Sequence, residues 1–299
     1  MKNPRILHAT GSALCLVALL LPGCQRPPQP QPDHPRLADG VRMQDVRFYS
    51  PALKREMPYR VFLPTTVAAG VKLPVVYLLH GNGGNFLNWS NYADVSRYAA
   101  TSESGGLILA MPQGDASYFV NAALKPEDRY SDYLVNDLIG DVEARFPAAT
   151  GRANRAVVGV SMGGYAAVEL ALTRPDLFGF AGAISPAIDV PSRRFSWKRW
   201  GQWQRFRTIF GEWGSETRRA EDPFVLVGSA DPAKTPYFYV TAGEQEALLE
   251  PNKRFVARLK ARGLAYEFHT KPGGHDWAEW DAQIPGCFAE LMVRMKAVH

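Results

Sequence analysis

Gly159-Val160-Ser161-Met162-Gly163-Gly164 is the stretch whose reading decides the fold. Before it, Arg155-Ala156-Val157-Val158 is short, β-branched and bounded by polar residues, the pattern of a buried strand. After it, Tyr165 to Leu172 reads as a helix that stops near Pro175. A strand that turns sharply into a helix needs small residues beside the turn, and Gly159 and Gly163 supply them. Ser161 then stands at the apex, its hydroxyl at the C-terminal edge of a sheet and near the positive end of the next helix. The pattern also occurs by chance in glycine-rich turns. The strand before it and the helix after it favour a nucleophile.

Working outward, the sequence predicts strands at Met43 to Tyr49, Tyr59 to Leu63, Leu73 to Leu79, Leu107 to Met111, Phe180 to Ile184, Tyr237 to Thr241 and Ala265 to Thr270. The continuous apolar run ending at Leu79 marks a central strand covered on both faces. Helices are expected over Tyr92 to Thr101, from a Ser131 cap to Phe146, from Asn252 to Arg262 with Gly263 closing it, and from Trp277 onward. Strands alternating with helices give an α/β fold, a mostly parallel central sheet with helices on both faces. No internal repeat is visible.

The chain has 299 residues, 46% of them hydrophobic, enough for one large core. Its net charge is +5, or +3 (5 − 2) once Lys2 and Arg5 leave with a leader, a weak excess that does not call for nucleic acid. Residues 1–23 carry those two basic residues and an apolar run from Leu14 to Leu21, too short to span a bilayer. This is the form of a secretion signal. Leu21-Pro22-Gly23-Cys24 resembles a bacterial lipobox, although Pro22 departs from the usual small residue. Cys24 is therefore the expected lipidation site. Plain secretion with cleavage elsewhere is the alternative. Residues 24–40 are rich in Pro and Gln and read as a tether. Residues 41–299 form the expected single catalytic domain. Of the three cysteines only Cys287 lies in that body, as a small core residue, so no intrachain disulfide framework is expected.

A serine hydroxyl needs a base to take its proton. Of the six histidines, His8, His34 and His299 lie in the leader, the tether and the terminus, and His269 falls inside a strand. His80 precedes a glycine-rich loop. His275, in Pro272-Gly273-Gly274-His275-Asp276-Trp277, follows the last strand and precedes the last helix, on the same sheet edge as Ser161. It is the candidate base. A carboxylate should follow the Tyr237–Thr241 strand, where Glu244, Glu246 and Glu250 all lie, and spacing alone does not choose among them. Asp231 precedes the strand, and Asp276 adjoins the histidine too closely. Attack on a carbonyl needs N–H groups waiting for the oxyanion. Met162, just after the nucleophile, and Asn82, in His80-Gly81-Asn82-Gly83-Gly84, are the expected donors.

Together these stretches resemble the putative-esterase family of α/β-hydrolases, which includes esterase D (S-formylglutathione hydrolase), feruloyl esterases and secreted mycolyltransferases. The resemblance rests on Tyr77-Leu78-Leu79-His80-Gly81, on Gly159 to Tyr165, on Pro175-Asp176-Leu177-Phe178, on Glu250-Pro251-Asn252, and on Gly274-His275-Asp276-Trp277 with Trp280. It covers the chain from about residue 43 onward. Its acid follows a Gly-x-x-Asp pattern, which laid on Gly243-Glu244-Gln245-Glu246 implies Glu246, with Glu in place of the commoner Asp and Glu244 still open. The implied activity is hydrolysis or transfer of an acyl ester through an acyl-enzyme, with no cofactor and no metal. The expected substrate is a small-molecule or carbohydrate-linked ester. Formylglutathione is disfavoured by the leader.

The expectation is thus a serine carboxylic ester hydrolase of the cell envelope, anchored to a membrane by N-terminal lipid. In a Gram-negative host it would sit at the outer membrane. The alternatives are an acyltransferase of the mycolyltransferase type and a non-catalytic binding lipoprotein on the same fold. The least family-like stretch, Ser192 to Arg219, interleaves arginines with Trp197, Trp200, Trp203 and Trp213. It leaves the sheet at the Ser161 edge. It forms a wall of the substrate cleft through Trp197 and Trp200, or it is a solvated basic helix whose tryptophans dock on the body, or its basic and aromatic residues meet an anionic membrane interface.

Overall fold

The computed structural model describes residues 32–100, 105–193 and 200–295. The sheet has eight strands: β1 (Val41–Ser50), β2 (Arg55–Pro64), β3 (Val75–Leu79), β4 (Ile108–Pro112), β5 (Arg155–Val160), β6 (Phe180–Ile184), β7 (Tyr237–Gly243) and β8 (Tyr266–Lys271). Their spatial order is β1-β2-β4-β3-β5-β6-β7-β8. Only β2 runs against its neighbours β1 and β4; the pairs from β4 through β8 are parallel. All the strands expected from sequence are present. The sheet edge at the C-terminal ends of β3, β5, β7 and β8 carries the residues of interest.

The helices are α1 (Asn88–Tyr92), α2 (Tyr130–Asp132), α3 (Ile139–Arg145), α4 (Met162–Thr173), α5 (Trp200–Phe210), α6 (Glu216–Ala220), α7 (Pro223–Ser229), α8 (Leu249–Arg262) and α9 (Trp277–Arg294). The alternation of β3 decides the layering. Val75, Tyr77 and Leu79 join the core that includes Tyr165 and Leu170 of α4. Val76 and Leu78 join the opposite core, with Trp89 of α1 and Ile284, Phe288 and Leu291 of α9. Successive side chains of a strand point to opposite faces, so β3 needs apolar residues at every position.

Two helices differ from expectation. The helix expected over Tyr92 to Thr101 is two short pieces, α1 and a 3₁₀ turn over Ser96–Ala100. Asn side chains start it early: Asn88 Oδ1 accepts from Asn85 N at 2.7 Å, and Asn85 Oδ1 accepts from Leu87 N at 2.9 Å. Ser131 does not cap the next helix; it lies inside α2, and a π-helical segment over Tyr133–Leu138 joins α2 to α3. Buried Leu134, Leu138 and Val142 still face the core as their spacing predicts. Gly263 closes α8 at φ 74°, and Asp276 caps α9 by accepting from the N–H groups of Ala278 and Glu279. Cys287 is fully buried.

Packing of the chain onto the sheet begins before Val41. The Arg60 side chain is fully buried and bonds Asp33 and Asp45, with N–O distances of 2.7 to 2.8 Å. A buried guanidinium demands such partners. Residues 33–40, read from sequence as the end of a tether, are therefore held on the body, and Arg36 N also donates to Ser90 O.

At the turn between β5 and α4 the two backbones leave no room for a side chain. A Cβ on Gly159 would lie 2.1 Å from the Gly163 carbonyl, and one on Gly163 would lie 2.2 Å from Leu79 O. Ser161 is accordingly held at φ 54° and ψ −109°. Gly159→Ala is expected to lower stability by roughly 3 kcal/mol, the upper range for overpacking. For a domain of this size that is a drop of about 6 to 12 °C in Tm. Thermal unfolding of the purified variant measures it, and an unchanged Tm would disprove the close-approach argument.

Candidate active site

The strained turn sets Ser161 at the end of β5, where Ser161 N donates to Ile184 O at 2.9 Å and Ser161 O accepts from Tyr165 N and Ala187 N. These bonds tie the turn to β6 and to α4. Ser161 is 9% exposed, so the side chain is supported on nearly all sides. Its Oγ lies 2.8 Å from His275 Nε2. His275 comes from the loop between β8 and α9, more than a hundred residues away in the chain.

The other ring nitrogen, His275 Nδ1, lies 2.6 Å from Glu246 Oε2. The Glu246 side chain is fully buried. Its second oxygen, Oε1, accepts from Gly243 N at 3.1 Å. Both carboxylate oxygens are therefore engaged, which fixes the carboxylate and makes Nδ1 the protonated ring nitrogen. Nε2 is left as the acceptor facing the Ser161 hydroxyl. The choice that spacing left open is resolved geometrically. Glu244 is exposed, and its carboxylate accepts from Thr270 Oγ1 instead. Glu250 is exposed and pairs with Lys253. Asp276 is the α9 cap. Trp280 meets the His275 ring edge to face, with centroids 5.0 Å apart, so one flank of the imidazole is dry.

The two residues expected to offer N–H groups to an oxyanion lie on either side of this row. Met162 is the first residue of α4, and the first N–H groups of a helix have no carbonyl within it. Asn82 follows Gly81, whose α-carbon faces Ser161; a Cβ there would lie 3.6 Å from Ser161 Cβ. The Asn82 loop is held from beneath by His80. That ring is buried, accepts from Gly114 N at Nε2 (2.9 Å) and is within 2.8 Å of Gly81 O at Nδ1. Burial pushes its pKa down to about 4, so the ring is neutral and donates from Nδ1 to the Gly81 carbonyl. His80 thus supports the loop and takes no part in the Ser161 row.

Other supports carried little sequence signal. Asn252 of α8 is buried and donates from Nδ2 to Pro186 O at 3.1 Å, holding the turn after β6 against Ser161. Tyr118 and Phe119 both stand at positive φ, 58° and 57°. Tyr118 packs edge-on against Tyr165 of α4 and against Phe206 and Phe210 of α5. That contact seats α5 beside the site. Arg205 Nη2 of α5 reaches across and donates to Asn82 Oδ1 at 2.7 Å. The backbone state of Tyr118 is set by tertiary contacts, which no local pattern announces.

Of the tryptophans expected to line a cleft, Trp200 begins α5, is 47% exposed and stacks on Trp203 with centroids 5.6 Å apart. Trp197 lies outside the described residues, as does Cys24. His269 sits at the sheet edge in β8, stacked on Tyr239 and bonded to Glu267, away from the Ser161 row.

Comparison with known proteins agrees with this fold. A family model described as "Putative esterase" matches residues 50–291. An acetyl esterase of Caldicellulosiruptor saccharolyticus is 25% identical over 262 residues, covering 83% of this chain and 97% of that protein. The substrate-bound structure of FphF, a fluorophosphonate-binding serine hydrolase of Staphylococcus aureus, superposes with a TM-score of 0.71 at 26% identity, over 84% of this chain and 98% of that one. An S-formylglutathione hydrolase from Agrobacterium tumefaciens has the same fold, with a TM-score of 0.73 at 20% identity, over 88% of this chain and 98% of its own. On this evidence the chain belongs to the putative-esterase family and is a serine esterase or hydrolase of the α/β-hydrolase type.

Proposed function

We propose that the protein hydrolyses carboxylic esters through an acyl-enzyme formed on Ser161. The observation that carries the reading is the continuous row Ser161 Oγ–His275 Nε2–His275 Nδ1–Glu246 Oε2, at 2.8 and 2.6 Å. In the first step the Ser161 oxygen bonds to the ester carbonyl carbon while its proton passes to His275 Nε2. The imidazolium so formed lies against buried Glu246, which stabilises its charge and holds the tautomer. The N–H groups of Met162 and Asn82 receive the carbonyl oxygen as it becomes negative. Collapse of that intermediate expels the alcohol, which takes the proton from His275. Water then repeats the sequence on the acyl-serine, with His275 accepting its proton, and the free acid leaves. None of this requires a cofactor. Similarity to an acetyl esterase favours short acyl groups as the first substrates to test.

Ser161→Ala is expected to keep the fold and lower kcat by up to about a millionfold, the scale seen when a serine protease loses its nucleophile. It is also expected to abolish labelling by a fluorophosphonate, which the wild type should show. Wild-type turnover that survives in a clean Ser161→Ala preparation would sink the mechanism. Glu246→Gln is expected to cost roughly 10⁴-fold in kcat, since an amide favours the wrong tautomer. Glu244→Gln should do far less, because that side chain only meets Thr270 at the surface. A larger loss from Glu244→Gln would reverse the assignment.

The cell-envelope location is part of the same proposal and rests on the leader: basic residues, a short apolar run and Cys24 at its end. A single acyl chain anchors only marginally, so the reading calls for multiple acylation at Cys24. Mass spectrometry of the mature N-terminus should find Cys24 first and lipidated, and Cys24→Ser should release the protein from membranes. An unmodified terminus elsewhere rules the anchor out.

A further inference from the structure

The arginines around α5 differ in how their charge is met. Arg207 faces Glu212, and Arg193 donates twice to Asp189, at 3.0 and 2.8 Å. Arg218 is buried and bonds the carbonyls of Pro191 and Gly211. Arg205 has no carboxylate partner among the described residues. Its Nη2 donates to Asn82 Oδ1, a neutral amide oxygen, its guanidinium also bonds the Tyr118 phenol, and its Nε is buried without a hydrogen-bond partner. A buried donor on a charged group, left unmatched, is a standing demand for an acceptor.

The position of this charge is as telling as its lack of a carboxylate partner. Asn82 adjoins Gly81, which lies against Ser161. Arg205 therefore reaches the loop proposed to hold the oxyanion, on the side where α5 overhangs it. The buried phenol of Tyr118 lies in the same corner. Burial pushes that phenol up, while the charges of Arg205 and Arg193 and a hydrogen bond with Arg205 oppose the rise; Asp189, which pairs with Arg193, also acts on it. The corner offers a fork of N–H donors, a phenol and an excess of positive charge. Planar donors of this kind suit a carboxylate, which can accept two parallel bonds.

We propose that Arg205 is a specificity-determining residue that selects esters carrying a second, anionic group such as a carboxylate, beside the bond to be cleaved. This rests on the esterase reading above. In the free enzyme the guanidinium bonds Asn82 and the Tyr118 phenol; on binding, its remaining Nη donors take the substrate anion. A carboxylate on the acyl side or on the alcohol side would meet the same chemistry, so the two are tested separately.

The measurement is kcat/KM of the purified chain on two matched pairs. Mono-para-nitrophenyl succinate against para-nitrophenyl acetate places the anion on the acyl side. Para-acetoxybenzoate against para-acetoxybenzamide places it on the alcohol side. For at least one pair, Arg205→Gln should lower the anionic-to-neutral ratio roughly tenfold or more, the worth of one hydrogen bond to a charged group. Gln keeps an N–H for Asn82 while removing the charge, so a change in the ratio is not a loop effect. Arg205→Lys should retain part of the preference. In the wild type the ratio should also fall as salt is raised through the range where screening acts, and this needs no variant. Ratios that stay within about twofold in Arg205→Gln, or a wild-type ratio indifferent to salt for both pairs, would overturn the inference while leaving the esterase reading intact. Failure of the wild type to turn over any of the four esters would instead overturn the esterase reading, and this inference with it.

Discussion

The structure depends on one close approach. Gly159 meets the backbone of Gly163, and Gly163 meets that of Leu79, at distances no side chain could share. Three consecutive pieces of the sheet edge, the ends of β3 and β5 and the start of α4, are thereby fixed against one another. Ser161 is the residue caught between them, in a backbone region that a residue with a Cβ enters only when its surroundings insist. The strain is offset by the bonds of Ser161 N and O to Ile184, Tyr165 and Ala187. The same constraint carries the first turn of α4 and the Gly81–Asn82 loop to the two sides of the serine.

Reactivity follows from what a parallel sheet does with its edges. Strands β5, β7 and β8 run the same way, so the loops after them emerge together. Ser161, Glu246 and His275 arrive from those three loops. None of them needs to be near another in the chain, only at the end of a neighbouring strand. Each is then trapped from a different direction: Ser161 by the turn, Glu246 by burial and Gly243 N, His275 by Glu246 and the edge of Trp280. His80 shows how burial separates roles between chemically equal groups. Its ring is kept neutral and turned inward to hold the Gly81 loop, while the His275 ring, 35% exposed, is turned toward Ser161.

The sheet was legible in the sequence because period and composition are local. Eight β-rich runs with polar or glycine boundaries gave the strands to within a few residues. Ser161 and His275 were legible because each sits at a strand-to-helix junction with glycines beside it. The acid was only half legible. Glu244 and Glu246 stand on the same loop two residues apart, and what separates them is burial and a bond from Gly243 N, which follow from tertiary packing. The short helices were misread for a different reason. Asn85 and Asn88 start α1 with side-chain bonds that compete with apolar periodicity as a signal. Tyr118 and Phe119 carried no signal at all, because their work is done by contacts with segments far along the chain, and the motif around Asn252 did not announce its bond to Pro186 O.

Helix α5 divides the labour differently from the sheet. Phe206, Ile209 and Phe210 bury one face of α5 against Tyr118 and the α4 core, so the helix is fixed from below by apolar contact. Its polar face is then delivered at a set height over the Asn82 loop. Because the anchoring is apolar and the overhang is polar, the two faces can change independently. Under the proposed mechanism, the sheet edge must keep its glycines, its serine and its histidine for any acyl transfer to occur. Arg205, on the polar side, is held by the amide oxygen of Asn82 rather than by a carboxylate.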